Sequence, residues 1–536
     1  MTIEERVAAT DPQKIFHYTD LQRSKPTRAN DPYEYFAGWN NRHQSEVIPG
    51  ALPIAQNNPQ DRGFGLYTEG LTSSFFAAPR HANQNTYMYR ARPSAAHSGY
   101  VDLETRSNIE NCFLSLNTKV ETIPAQAEWK PFPLPAADDQ IDFTDGLQTL
   151  AGSGDPNLRE GVALYVYAFN KNMPGKAYCN IDGDFLLVAQ LGNLEIQTEM
   201  GRLFLQPGEI CVIQRGIRFR IDLAADVPVA RGFIVEICVI QRGIRFRIDL
   251  AGDVPVARGF IVEVWGSTWE LPDLGPIGGY GLANARDFLY PKAHIDEDLH
   301  RDFTIVVKNN GKHVGIKQNH SPFDVVAWHG NSVPYKILQY DLTKFASQNA
   351  TSVDHTDPSI NTVLSAKSRD PNTSLVDFLW FGPRWDVASN SFRPPYFHRN
   401  SASEFLTCLY GNGLGRSNDF QPGGGSYEGG HTPHGGFDER YIEEHKVQTN
   451  QPRRILEVLE QMTVMVETSR TLLFTEWARK DSGVLEAEGT DASAWDNLPD
   501  RFSTNPRIQE LLKQVKEDEA AERARREFYH NAKLRD

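Results

Sequence analysis

Short apolar runs, cut again and again by turn residues, constrain this chain most. In GDFLLVAQLGNLEIQTEMGRLFLQPGEICVI (183–213), groups of Leu, Val, Ile and Phe are separated by Gly, Asn and Pro-Gly. Runs of that length suit buried strands, and the residues between them suit tight turns. VALYVYAFN (162–170) reads the same way. With 41 glycines and 32 prolines among 536 residues, the pattern predicts a mainly-β fold, a sandwich or barrel with few helices. The length exceeds one small core and implies two parts.

The expected division is a polar extension over residues 1–30, an N-terminal β domain over 31–340, a second β domain over 341–500 and a charged tail over 501–536. RRILEVLEQMTVMVET (453–468) is mixed or strand, because its β-branched residues blur the period. The tail from Pro506 is rich in Glu, Lys, Arg, Ala and Leu and reads as a solvated helix.

A near-perfect tandem repeat interrupts the β region. EICVIQRGIRFRIDLAADVPVARGFIV (209–235) recurs at 236–262, the two 27-residue copies differing only at Ala225 and Gly252. Two copies do not make a solenoid, and copies this alike have had no time to drift. Each carries about two strands, ICVI…RFRID and ARGFIV. A closed sheet has room for one set, so one copy is expected in the sheet and the other in an extra hairpin or disordered bulge.

Charge and cysteines narrow the function. The formal net charge is -14, and no basic stripe suits a phosphate backbone. A small molecule is therefore the expected partner, not nucleic acid. The five cysteines, Cys112, Cys179, Cys211, Cys238 and Cys408, lack CxxC spacing and read as reduced, buried thiols. The first residues lack the apolar core of a signal peptide, and no apolar run reaches membrane-spanning length. The expectation is a cytoplasmic protein with no membrane partner.

Candidate chemistry gathers late in the chain, at His355, His398, Glu404, Glu428, His431 and His434. His398 and Glu404 are six apart. On a strand they would lie roughly 20 Å from each other, and on a helix about 240° apart around the axis. Only a bend, which Ser401, Ala402 and Ser403 permit, could bring both to one ion. With one more His they would form a two-His-one-carboxylate face, which suits Fe(II) with open positions. A plain surface pair fits the same spacing. In GGGSYEGGHTPHG, Glu428, His431 and His434 are spaced three apart, as on one helix face. Gly429, Gly430 and Pro433 oppose that helix. A Gly-rich loop delivering one ligand is the better reading.

These residues stand in stretches that resemble the homogentisate 1,2-dioxygenase family. PGALPIAQNNPQ, APRHANQNTYMYRARPSAAH, LPDLGPIGGYGLANARDF, DVVAWHGNSVPYK, DHTDPSINTVLSAKS, GPRWDVASNSFRPPYFHRNSASEF and PGGGS…TPHG follow family patterns in family order, over roughly residues 33–480. The resemblance implies a cupin-like, jelly-roll β architecture in two parts, with Fe(II) in the C-terminal part and subunits assembled as trimers or hexamers. It implies ring cleavage of homogentisate by O2 to maleylacetoacetate, in tyrosine and phenylalanine breakdown. Carried over by position, His398, Glu404 and His434 match the iron ligands, and His355 the acid-base residue. His434 would also face the substrate. Glu428 stands where the family pattern has a histidine, Gly413 where it has a substrate-contacting tyrosine, and Tyr410 where it has an arginine. These departures leave two alternatives: a same-class dioxygenase for another hydroxylated phenylacetate or phenolic acid, or an inactive oligomeric β scaffold.

Overall fold

The computed structural model describes residues 31–533 apart from 106, 225–254, 275–282, 338–360, 371, 382–384, 387–395, 412–419, 437–441, 443–452, 455–461 and 487–494. The described chain is mainly β, as the turn-punctuated runs predict. Its strands form sheets of ten, seven, eight, four and two strands. Residues 1–30 lie outside the described part.

The ten-stranded sheet is built around β1 (Leu147–Asp155), β2 (Glu160–Phe169), β3 (Asp184–Leu191), β4 (Ile210–Ile213) and β6 (Ala257–Trp265). They are ordered β4-β3-β6-β2-β1, all antiparallel. Strand β5 (Arg218–Leu223) joins the seven-stranded sheet between Lys176–Asn180 and Leu194–Thr198. Every residue of β6 is buried, Arg258 and Glu263 included.

The sheets resolve the duplication in a way that neither whole copy would. β4 and β5 come from the first copy, whereas β6 comes from the end of the second. The residues outside the repeat explain the choice. Ahead of β4, the Gly208 amide donates to the Ala189 carbonyl at 2.7 Å, and the Gln206 amide to the Glu209 carboxylate at 2.8 Å. Pro207 and Gly208 precede only the first copy; Ile234 and Val235 precede the second. At the other end, β6 runs on to Trp265, which is buried and stacks on Phe113. Gly266 then turns with φ +73°, where a Cβ would lie 1.6 Å from the Arg159 carbonyl oxygen. The first copy would offer Cys238 and Val239 at those two places. The surplus falls between β5 and β6. Whether it forms a hairpin or a bulge concerns residues outside the described part.

The eight-stranded sheet positions the site. In order it holds Trp269–Glu270, β7 (Asn361–Lys367), β8 (Ser374–Phe381), β11 (Met462–Thr468), β9 (Ser403–Tyr410), β10 (Gly425–Glu428), Ala127–Trp129 and Leu485–Glu486. In β9 and β10 the odd positions Phe405 and Tyr427 enter the core, beside Trp129 and Phe474. The even positions Glu404 and Glu428 take the opposite face. The second half of 453–468 is strand β11, one of the two expected outcomes. The tail forms helix α1 (Pro506–Lys533), part of a separate compact unit. Among the described residues Cys112, Cys179, Cys211 and Cys408 are free thiols, and no helix is long and apolar enough to cross a membrane.

Deleting residues 209–235 or 236–262 leaves chains that differ only by Ala or Gly at one position. Either deletion should give soluble protein with an unchanged thermal midpoint and metal content. Insoluble expression of both would show that the surplus copy is integral to the fold.

Candidate metal centre

Two loop segments and one strand bring three donors together. His398 and His434 form an isolated antiparallel bridge: the His398 amide donates to the His434 carbonyl at 2.9 Å, and the His434 amide to the His398 carbonyl at 3.0 Å. This reciprocal pair sets the two imidazoles side by side, centroids 4.1 Å apart. Glu404 lies at the start of β9, so the bend between His398 and Glu404 falls where the small residues permit it. Ligand atoms of His398, Glu404 and His434 lie within 4.8 Å of one another. Glu404 and His434 are buried, and His398 is half-buried.

The donor set fits a divalent cation. Nδ1 of His398 lies 2.7 Å from the Tyr396 carbonyl, and Nδ1 of His434 lies 2.8 Å from the Thr432 carbonyl. Each Nδ1 therefore carries the proton, and each Nε2 keeps its lone pair for a metal. The Nε2 of His434 is buried, makes no hydrogen bond and sits 3.7 Å from the Glu404 carboxylate. The Asn400 side chain donates to the other oxygen of Glu404 and orients it. Burial alone would raise the Glu404 carboxyl, but His434, Asn400 and His398 outweigh it and hold it below its ordinary value. Burial likewise disfavours charge on His434, yet the carboxylates of Glu404 and Glu428 push its imidazole up to about 9. Carboxylates that favour positive charge on this imidazole also favour a cation, which would take the place of the Nε2 proton.

The remaining candidates separate. Glu428 ends β10 directly opposite Glu404, on the same face, and its charge reaches His434. His431 is not part of the cluster. It is exposed, in the left-handed region at φ +62°, and its amide donates to the Asn400 carbonyl at 2.7 Å. The one-helix geometry is thus absent: strand β10 ends at Glu428 and a turn delivers His434. Tyr410 stands at the far end of β9 from Glu404, roughly 20 Å along the strand, so the structure does not bring it to the cluster. His355 and Gly413 lie outside the described residues.

Sequence reasoning missed Asn400 and a row of carboxylates across the sheet. Glu428, Glu404, Glu467 and Asp377 are successive cross-strand partners on β10, β9, β11 and β8. Burial, then the charges of Glu404 and Asp377, push Glu467 up to about 7. The NxxxE spacing after His398 was the available signal for Asn400. The row had none, because its members come from four separate segments.

The homogentisate 1,2-dioxygenase N-terminal family model matches residues 34–237 and 235–342, and the C-terminal model matches residues 343–502. The chain belongs to the homogentisate 1,2-dioxygenase family. The N-terminal match breaks where the two copies of the repeat meet. Homogentisate 1,2-dioxygenase of Homo sapiens is 40% identical over 478 residues, which cover 88% of this chain and 98% of that protein. The enzyme of the same name in Arabidopsis thaliana is 44% identical over 403 residues, 75% of this chain and 80% of its own length. That of Emericella nidulans is 40% identical over 474 residues, covering 88% and 96%. Among solved structures, protein Ylba of E. coli aligns with a TM-score of 0.25 at 8% identity, over 65% of this chain and 95% of that one. The family is one of oxidoreductases, dioxygenases by name, and implies a metal-dependent enzyme.

Glu467 gives a pH test of the carboxylate row. A carboxyl raised from 4.5 to about 7 keeps its proton longer in the folded than in the unfolded chain. Stability is then lost as pH rises from 4.5 through 7, by about 3 kcal/mol. Glu467→Gln removes that loss. In metal-free protein the variant should melt above the parent at pH 8, the gap closing by pH 4.5. An equal gap at both pH values would contradict the raised carboxyl.

Proposed function

We propose that this chain is an Fe(II)-dependent ring-cleaving dioxygenase that converts homogentisate and O2 to maleylacetoacetate, a step of tyrosine and phenylalanine breakdown. One observation carries the reading: a ring nitrogen from each of two imidazoles and one carboxylate oxygen meet within 4.8 Å, the donor set of two-His-one-carboxylate iron sites. His398, Glu404 and His434 would hold the metal. Bound there, Fe(II) would gather the substrate hydroxyl and O2 and acidify the phenol.

The protein's own residues do the rest. The backbone bridge and the two tethered Nδ1 atoms keep both imidazoles aimed before any ligand arrives, so little reorganisation accompanies binding. Asn400 holds one oxygen of Glu404 and leaves the other toward His434. His355 would accept the phenolic proton and return it later, since an imidazole titrates near neutral pH. A homo-oligomer, trimer or hexamer, accords with the resemblance, and the exposed side chains of Phe75 and Phe76 support an assembly. A cytoplasmic location accords with a pathway enzyme of this kind.

Glu428 favours a second reading within the same class. Its carboxyl faces the same side as Glu404, one strand away. Placed beside the carboxylate arm of homogentisate, an ionised Glu428 would repel it. A hydroxylated phenyl compound with a different arm would escape that cost. The inactive scaffold gains no support from a donor set so fully assembled.

His398→Ala, Glu404→Ala and His434→Ala should each remove bound iron and activity; an iron-replete, active His434→Ala protein would refute the ligand assignment. Oxygen uptake with homogentisate and added Fe(II) should be faster in Glu428→His than in the parent. If it is unchanged or slower, while another phenolic acid turns over in the parent, the second reading holds.

A further inference from the structure

Arg258 is a buried cation with no carboxylate partner among the described residues. It is 7% exposed and lies on β6, the strand drawn from the second repeat copy. Its donors go to neutral oxygens on three segments: Nε to the Gln190 side chain at 2.8 Å, Nη1 to the Phe132 carbonyl, and Nη2 to the Pro422 carbonyl at 3.0 Å. Gln190 in turn donates to the Leu409 carbonyl at 3.0 Å. One side-chain pair from the ten-stranded sheet therefore grips the end of β9 and the turn that starts β10.

The turn is shaped around the guanidinium. Gly423 has φ +87°, and a Cβ there would lie 2.2 Å from Nη2 and 2.3 Å from Cζ of Arg258. This accounts for one glycine of the GGG run. The Gly423 amide donates to Cys408 O at 2.8 Å, and the Thr407 hydroxyl to Gly424 O at 2.8 Å. Strand β10 then has only four residues before the loop to His434. So short a strand carries little register information of its own. A slip of one residue would turn Tyr427 out of the core, Glu428 away from the Glu404 face, and carry the following loop about 3.3 Å along.

We infer that Arg258 is a positioning residue for the metal centre, setting the register of β10 on β9 and, through it, the place of His434. The inference rests on reading His398, Glu404 and His434 as metal ligands. Lysine at 258 would keep the charge but reach one of the three acceptors. Any loss would then report geometry rather than field.

The test uses Co(II) titration of the full-length protein, following both its visible absorption band and its dissociation constant, with the thermal midpoint of the metal-free protein alongside. The parent should bind Co(II) and His434→Ala should not. Arg258→Lys should bind about tenfold more weakly or worse, with an altered band. Gly423→Ala, which presses on the same guanidinium from the other side, should show the same change and guards against a variant of 258 that fails to fold. Arg231→Lys, the same substitution at the matching residue of the first copy, should leave binding and band unchanged. A lowered midpoint with the parent's band and affinity in both Arg258→Lys and Gly423→Ala would make the role purely structural and overturn the inference. A loss in Arg231→Lys but not in Arg258→Lys would overturn it too, by placing the first copy in the sheet. A parent that fails to bind Co(II), or His434→Ala binding like the parent, would overturn the ligand reading and the inference with it.

Discussion

Two backbone hydrogen bonds between His398 and His434 hold the candidate centre together. They join segments 36 residues apart in sequence, neither of which is regular strand. Without them each imidazole would sit on a loop of its own, and the ordering entropy of both would oppose metal binding. With them, the two rings face each other at 4.1 Å and need only the carboxylate of Glu404 to complete the set. The sheet supplies it: β9 presents Glu404 at its first turn of the pleat, and β10 ends beside it before the chain bends back to His434. The whole arrangement depends on strand register, since a slip in β10 would break the bridge.

The centre works against the stability of its own sheet. Carboxylates opposed across four strands repel one another, and burial together with the charges of Glu404 and Asp377 keeps the proton on Glu467 to about 7. Such a row is the expected cost of concentrating negative potential where a cation must bind. The protein offsets it with neighbours that answer particular charges: Asn400 on Glu404, and the imidazoles of His434 and His398 beside it. Arg258 shows the reverse case, a buried cation whose partners among the described residues are carbonyl and amide oxygens.

Much of the fold was legible along the chain. Short apolar runs between turn residues predicted strands, and 162–170 and 183–213 hold them. Helix-favouring composition marked the tail that forms α1. The glycines and Pro433 ruled out a helical site at GGGSYEGGHTPHG, and a strand and turn stand there instead. Spacing alone could not choose between a metal site and a surface pair at His398 and Glu404. The family patterns around them made the choice. Asn400, Glu467 and Asp377 were not legible, because their meaning comes from pairing with residues far away in sequence.

The chain alone fixed the residue types of the centre, the turn-cut apolar runs that become strands, and the presence of two interchangeable repeat copies. Those are local properties, carried by side-chain chemistry and the backbone preferences of neighbours. Only the assembled sheets decided the rest: that Asn400 orients Glu404, that Glu428 flanks the cluster, and that the sheet takes the front of one copy and the end of the other. The last two are a matter of register between strands distant in sequence. Register is set by the turns and bridges at the strand ends, here Gly208, Gly266, Gly423 and the His398–His434 pair, which act only once the sheets are assembled.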